Sequence, residues 1–135
     1  MDTTTSSRTI LCVDDDSDDR DLVCTVIQKL DPNIVFMHAE NGLVAHKILS
    51  QAKLKNEFPC LIILDINMPL MDGKQTLVRI KKDPSLNEIP VVMFSTSSSA
   101  LDKAFCSQYG VELITKPAKL ATVVSEVERL LNYCR

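Results

Sequence analysis

Apolar residues in this chain fall into two kinds of run. Runs of four or five, too short for helices, read as strands, and the central one, bounded by Pro59 and Pro69, reads as buried on both faces. They alternate with longer stretches whose apolar positions recur every three or four residues, the signature of amphipathic helices. Thr9–Val13 is the first strand. Ser17 caps the helix that follows, whose first turn carries Asp18, Asp19 and Asp21, the charge sign a helix start favours. Its stripe is Leu22, Val23, Val26, Ile27 and Leu30, and Asp31 with Pro32 stops it. Residues 34–37 form a second strand, and Asn41 with Gly42 marks a turn or helix start. A second helix follows, with the stripe Ala45, Ile48, Leu49 and Ala52. Residues 60–64 make the central strand, and Gly73 opens a third helix with Leu77 and Ile80 inward. A fourth strand spans 91–94. The next helix carries Leu101, Ala104 and Phe105 and ends at Gly110. A fifth strand spans 111–114. Leu120, Val123, Val124, Val127, Leu130 and Leu131 give the clearest helical stripe, nearly at the chain end. Five strands alternating with five helices predict right-handed βαβ units and a parallel sheet covered on both faces.

The strand ends then carry the chemistry. The central run Leu61-Ile62-Ile63-Leu64 leads straight into Asp65. An ionised carboxylate at a strand centre is costly, so Asp65 is placed at the strand's carboxyl end, where α/β sheets hold their ligands. The first strand delivers Asp14 and Asp15, the fourth Ser95 and Thr96, the fifth Lys116. In a parallel sheet these ends share one rim. Carboxylates gathered there repel unless a cation joins them, and Mg²⁺ suits an oxygen-rich site that leaves room for phosphate oxygens. A phosphoryl group between metal, Lys116 and Ser95, attacked in line by a carboxylate, fits this arrangement. Asp16, Asp18, Asp19 and Asp21 read as helix-start charges. His38 and His46 lie far apart in the pattern and read as surface or half-buried residues, and Met68 and Met71 as packing for the loop.

Composition narrows the classes. The 135 residues fit one domain with one core, and a net charge of -3 argues against nucleic acid as a direct partner. No apolar run approaches the ~20 residues of a membrane span, and the polar start has no signal-peptide core. Residues 1–8 read as a disordered tail and 9–135 as the domain. Five cysteines (Cys12, Cys24, Cys60, Cys106, Cys134), odd in number and without CxxC spacing, read as buried free thiols in a reducing cytoplasm.

These residues together resemble the receiver domain of two-component response regulators. The resemblance rests on Val13-Asp14-Asp15, Asp65-Ile66-Asn67-Met68-Pro69 with Met71-Asp72-Gly73, Ser95, Lys116-Pro117 and Asn41-Gly42, in order on the expected elements. It implies a flavodoxin-like (βα)5 three-layer α/β sandwich with strand order 2-1-3-4-5. It implies Asp65 as phosphoacceptor. Asp15 and Asp65 would bind Mg²⁺ directly with the backbone carbonyl of Asn67, and Asp14 would act mainly through a coordinated water. Ser95 would hold a phosphoryl oxygen, and Lys116 would pair with Asp65 or its phosphate. The partners implied are a sensor histidine kinase or phosphotransfer protein and a separate downstream protein, with the chain a monomer or weak homodimer and no enzyme in its own right. Two positions depart from the family pattern. Leu113 stands where an aromatic switch residue is common, and Thr96 where Ala or Gly is common. Competing classes fit less well. A dehalogenase-type phosphatase wants an acid where Asn67 stands, three acids after the first strand would repel a flavin phosphate, and the full Asp, Ser and Lys set argues against an inert scaffold.

Overall fold

The computed structural model describes residues 8–96, 99–115, 125 and 128–134. Five strands form one parallel sheet in the order β2-β1-β3-β4-β5. They are β1 (Thr9–Val13), β2 (Val35–Ala39), β3 (Leu61–Asp65), β4 (Val91–Ser95) and β5 (Glu112–Thr115). Helices α1 (Ser17–Leu30), α2 (Gly42–Lys55), α3 (Gly73–Lys82) and α4 (Ala100–Gln108) make the crossovers. The last predicted helix falls largely outside the described residues; 128–130 are helical and lead into a 3₁₀ turn, Leu131–Cys134.

The central strands are buried along their whole length, as their apolar runs require. Burying each of the four aliphatic side chains of β3 contributes about 2 kcal/mol of hydrophobic stabilisation. Side chains alternate between two cores. One packs Ile10, Ile63 and Phe94 against Val26 and Ile27 of α1 and against Leu130 and Leu131. The other packs Leu11, Leu64 and Met93 against Leu49 of α2, Leu77 and Ile80 of α3 and Cys106 of α4. The edge strand β2 is mostly exposed, and it begins one residue later and ends two residues later than the apolar pattern placed it. Ile34 is buried but belongs to the turn before the strand.

Two expectations are corrected. Asp16, not Ser17, caps α1: its side chain accepts from the backbone N–H groups of Asp18 and Asp19, and Ser17 is the first helical residue. Cys60 and Cys134 are joined in a disulfide with Cα atoms 5.1 Å apart, while Cys12, Cys24 and Cys106 are free and buried. Pairing across a separation of 74 residues depends on the C-terminal turn returning beneath the start of β3, which no local spacing encodes. The same turn buries Leu131 and Cys134, and Arg8 Nε donates to the Cys134 carbonyl at 3.0 Å.

Candidate functional site at the carboxyl end of the sheet

The register of β1 on β3 sets Val13 beside Leu64, so Asp14 and Asp65 emerge together at one rim. Asp65 is the last residue of β3 and only 5% exposed; Asp14 is 7% exposed and Asp15 is open to solvent. Carboxylate oxygens of Asp14, Asp15 and Asp65 all lie within 4.8 Å of one another. Asp14 is held on several sides. Its N–H donates to the Ala39 carbonyl at 3.0 Å, its Oδ1 accepts from the Asp16 N–H at 2.9 Å, and its own carbonyl accepts from Arg20 Nη1 at 2.8 Å. Asp16 is thus committed to turning the chain from β1 into α1, which leaves Asp14 and Asp15 facing Asp65. An all-oxygen, carboxylate-rich donor set of this kind suits a hard divalent cation.

The loop between β3 and α3 is built by close backbone approach. Ile66 N–H continues the ladder to the Phe94 carbonyl at 2.9 Å, and Gly73 N–H returns to the Ile66 carbonyl at 2.8 Å. A Cβ on Gly73 would strike the Asp65 carbonyl oxygen and stand 2.8 Å from Ile66 Cα, so only glycine lets the helix start seat against the strand end. Asp72 caps α3 in a capping box with Gln75. Asn41 caps α2 through its side chain, and Gly42 N–H donates to the Met71 carbonyl at 3.0 Å. A Cβ on Gly42 would collide with Thr76 Oγ1. The Asn41-Gly42 pair is therefore a helix start pressed against this loop. Met71 is buried and Met68 is partly buried against the second core, as loop-packing residues should be. Asn67, exposed, sits between these anchored residues.

Ser95 ends β4, is fully buried and lies beside Thr115 of β5. Thr96, next to it, is exposed. Leu113 is half-buried, pairs with Met93 and packs against the second core. Lys116 and Pro117 lie outside the described residues. His38 and His46 are exposed and do not belong to the carboxylate cluster; His38 lies beside Cys12 on the neighbouring strand. Two residues before Asp14, Cys12 shares a hydrogen bond with Cys24. That bond, with burial, pushes the Cys12 thiol well up, and the same bond draws the Cys24 thiol down. Sequence reasoning missed Arg20, whose charge six residues after Asp14 looks like any exposed helical position, and the disulfide at the far end of the sheet.

Residues 10–128 match the family model of the response regulator receiver domain. Response regulator Rcp1 of Synechocystis sp. is 36% identical over 99 residues, covering 70% of this chain and 66% of that protein. The crystal structure of the Mn²⁺-bound form of Rcp1 superposes with a TM-score of 0.80 at 31% identity, over 93% of this chain and 92% of that one. The phosphorylated cyanobacterial phytochrome response regulator RcpA gives 0.76 at 29% identity, again over 93% and 92%. With these likenesses added to the sheet order and the acidic rim, the chain belongs to the response regulator receiver domain family.

Proposed function

We propose that Asp65 accepts a phosphoryl group from a phosphohistidine of a sensor histidine kinase or phosphotransfer protein, in a Mg²⁺-dependent reaction. The observation that carries this reading is the convergence of Asp14, Asp15 and Asp65, with buried Ser95 ending the next strand. Residues 9–135 act as the receiver unit. Asp15, Asp65 and the Asn67 carbonyl are the direct metal ligands, and Asp14 acts through water. The metal would offset charge on the phosphoryl oxygens as the aspartyl phosphate forms. Asp65 supplies the attacking carboxylate oxygen. Ser95 donates its hydroxyl to a phosphoryl oxygen, and Lys116 pairs with the phosphate or with Asp65. The Asp16 N–H and Arg20 hold Asp14 in place from behind. The chain is a phosphoacceptor that assists its own modification and hydrolysis and turns over no separate substrate. It works in the cytoplasm as a monomer or weak dimer and passes its state to a protein partner. Thr96 and Leu113 tune hydrolysis and readout.

The test is intact-mass analysis after incubation with acetyl phosphate and Mg²⁺. One phosphoryl adduct is expected on the wild type and none on Asp65→Asn or with the metal chelated. An adduct that survives Asp65→Asn, or rapid repeated hydrolysis of a phosphate ester, would sink the reading.

A further inference from the structure

A groove of about 640 Å³ runs along the outer side of α3. Leu43 of α2, Leu70 of the β3–α3 loop, Val78 of α3 and Phe105 of α4 give it apolar walls, and Arg79 and Lys82 stand at its basic end. A neighbouring recess shares Arg79 and Lys82 and adds His46, Pro84 and Asp83, whose carboxylate is paired with Lys53. Large apolar side chains at its border are left in water: Leu43 is 48% exposed, and Leu70 and Leu101 are each 79% exposed. Leu101 lies one helical turn before Phe105 and so on the same side of α4. Leu70 is the least expected. Met71 N–H closes back on the Pro69 carbonyl at 2.8 Å around a φ of 68° at Leu70, a tight turn that a side chain with a Cβ disfavours. The backbone thus accepts an unfavourable conformation and holds a leucine outward.

The charges beside these leucines are of two kinds. Lys74 is committed to Asp102 at 2.7 Å and lies over the Phe105 ring, 5.4 Å from its centroid. Lys53 is committed to Asp83 at 2.7 Å. Among the described residues no carboxylate pairs with Arg79 or Lys82. A chain with a net charge of -3 therefore carries a local basic site next to exposed leucines. Apolar walls with a cationic end are the complement of an amphipathic helix with leucine-like anchors on one face and carboxylates beside them. Nucleic acid would satisfy the two cations but leave the leucines in water, and a second basic surface would be repelled.

We infer that this groove is the docking site for an acidic, amphipathic helical segment of a partner protein, which places Leu70 and Leu43 against its apolar anchors and Arg79 and Lys82 against its carboxylates. This goes beyond the phosphoacceptor reading and does not depend on it. The groove does share a loop with the site, since Met71 lines it and Asn67 lies four residues upstream.

The test begins with a display library of random segments of about 14 residues, roughly four helical turns. It is selected on the full chain and counter-selected on the Arg79→Glu, Lys82→Glu double variant. Enriched sequences should combine Asp or Glu with apolar residues at helical spacing. A synthetic peptide of that consensus should shift amide resonances of Leu43, Leu70 and Val78. It should bind the double variant and Leu70→Asn, which suits the positive φ, about tenfold more weakly or worse. Asp65→Asn should bind the peptide normally, and the double variant should still take the Asp65 adduct. Those two controls separate failure of this inference from failure of the phosphoacceptor reading or of folding. Enrichment of basic or patternless sequences, resonance shifts confined elsewhere, or no selection dependent on Arg79 and Lys82 overturns the inference. Self-association in sedimentation that the double variant abolishes would assign the groove to a second copy, and also overturns it.

Discussion

The two ends of the sheet are built on opposite plans. At the amino end, contacts tie one element to another. Arg8 pairs with Asp31, Lys53 with Asp83 and Arg129 with Glu112, and the Cys60–Cys134 disulfide fixes the last turn beneath β3. At the carboxyl end Lys74 of α3 pairs with Asp102 of α4, but the strand ends themselves bring like charges together. Asp14, Asp15 and Asp65 crowd one rim, held there by backbone hydrogen bonds and by a glycine with no room for a side chain. Packing and cross-links secure the strands at the end away from the carboxylates. Stability and reactivity are thus separated along the strand axis, and the two should respond to different substitutions.

The largest effect on stability is expected from the amino end. Replacing Cys134 by Ser should cost about 4 kcal/mol, the chain-entropy value for a loop of this size, read as a lower midpoint in urea. Phosphoryl uptake on Asp65 should stay at the wild-type rate in buffer; a parallel loss of uptake would erase the proposed separation. Gly73→Ala should do the reverse. Its Cβ has backbone atoms on two sides, so it displaces Asp65 or the start of α3. It should cost about 1–3 kcal/mol, as overpacking does, and slow adduct formation by about tenfold or more. Near-normal adduct formation in Gly73→Ala would show that the loop relaxes without moving the carboxylate. A smaller effect is expected at Thr96, exposed beside Ser95. Thr96→Ala should speed loss of the phosphoryl group about threefold, less than 1 kcal/mol of barrier, measured by decay of the adduct. Equal or slower decay counts against a screening role.

The smallest effect is a titration. A hydrogen bond from Lys53, with further ones from Ser85, holds the Asp83 carboxyl at about 2, below its ordinary 3.8. A depressed carboxylate contributes stability that is present above the unfolded value and lost as pH falls through the folded one, here between about 4 and 2. Asp83 is half-buried at the surface and its partner Lys53 is exposed, so the effect belongs in the titration of its own carboxyl carbon by NMR more than in a melting curve. In Lys53→Met the midpoint should move up toward 3.8. An unmoved midpoint would assign the depression to Ser85 alone.

Much of this plan could be read from the residues, and the parts that could not share a cause. The apolar run Leu61 to Leu64 between Pro59 and Pro69 reported burial on both faces, because a central strand of a covered parallel sheet buries side chains in both directions. Asp65 at the end of β3 followed from the cost of burying charge mid-strand. The sheet order came through family resemblance, since local patterns do not say which strands are neighbours. The disulfide stayed hidden for the same reason: Cys60 and Cys134 each sit among apolar residues, and only the assembled fold brings them together. Strand β2 was misplaced because its apolar run, Ile34 to Met37, looks like that of a central strand although the strand lies at the exposed edge of the sheet. Asp16 and Ser17 are both competent caps, and the choice fell to the residue whose carboxylate could reach two N–H groups.

The hydrogen bond from Arg8 to the Cys134 carbonyl joins positions 126 residues apart. The residue that leads into β1 and the turn that follows the last described helix are therefore within hydrogen-bond reach of each other. A short linker from 134 to 8 could join them, and the exposed polar residues after α2, at 56 and 57, offer a place to open the chain instead. In such a circular permutant β3 would become the first strand, with every strand pairing and the acidic rim retained.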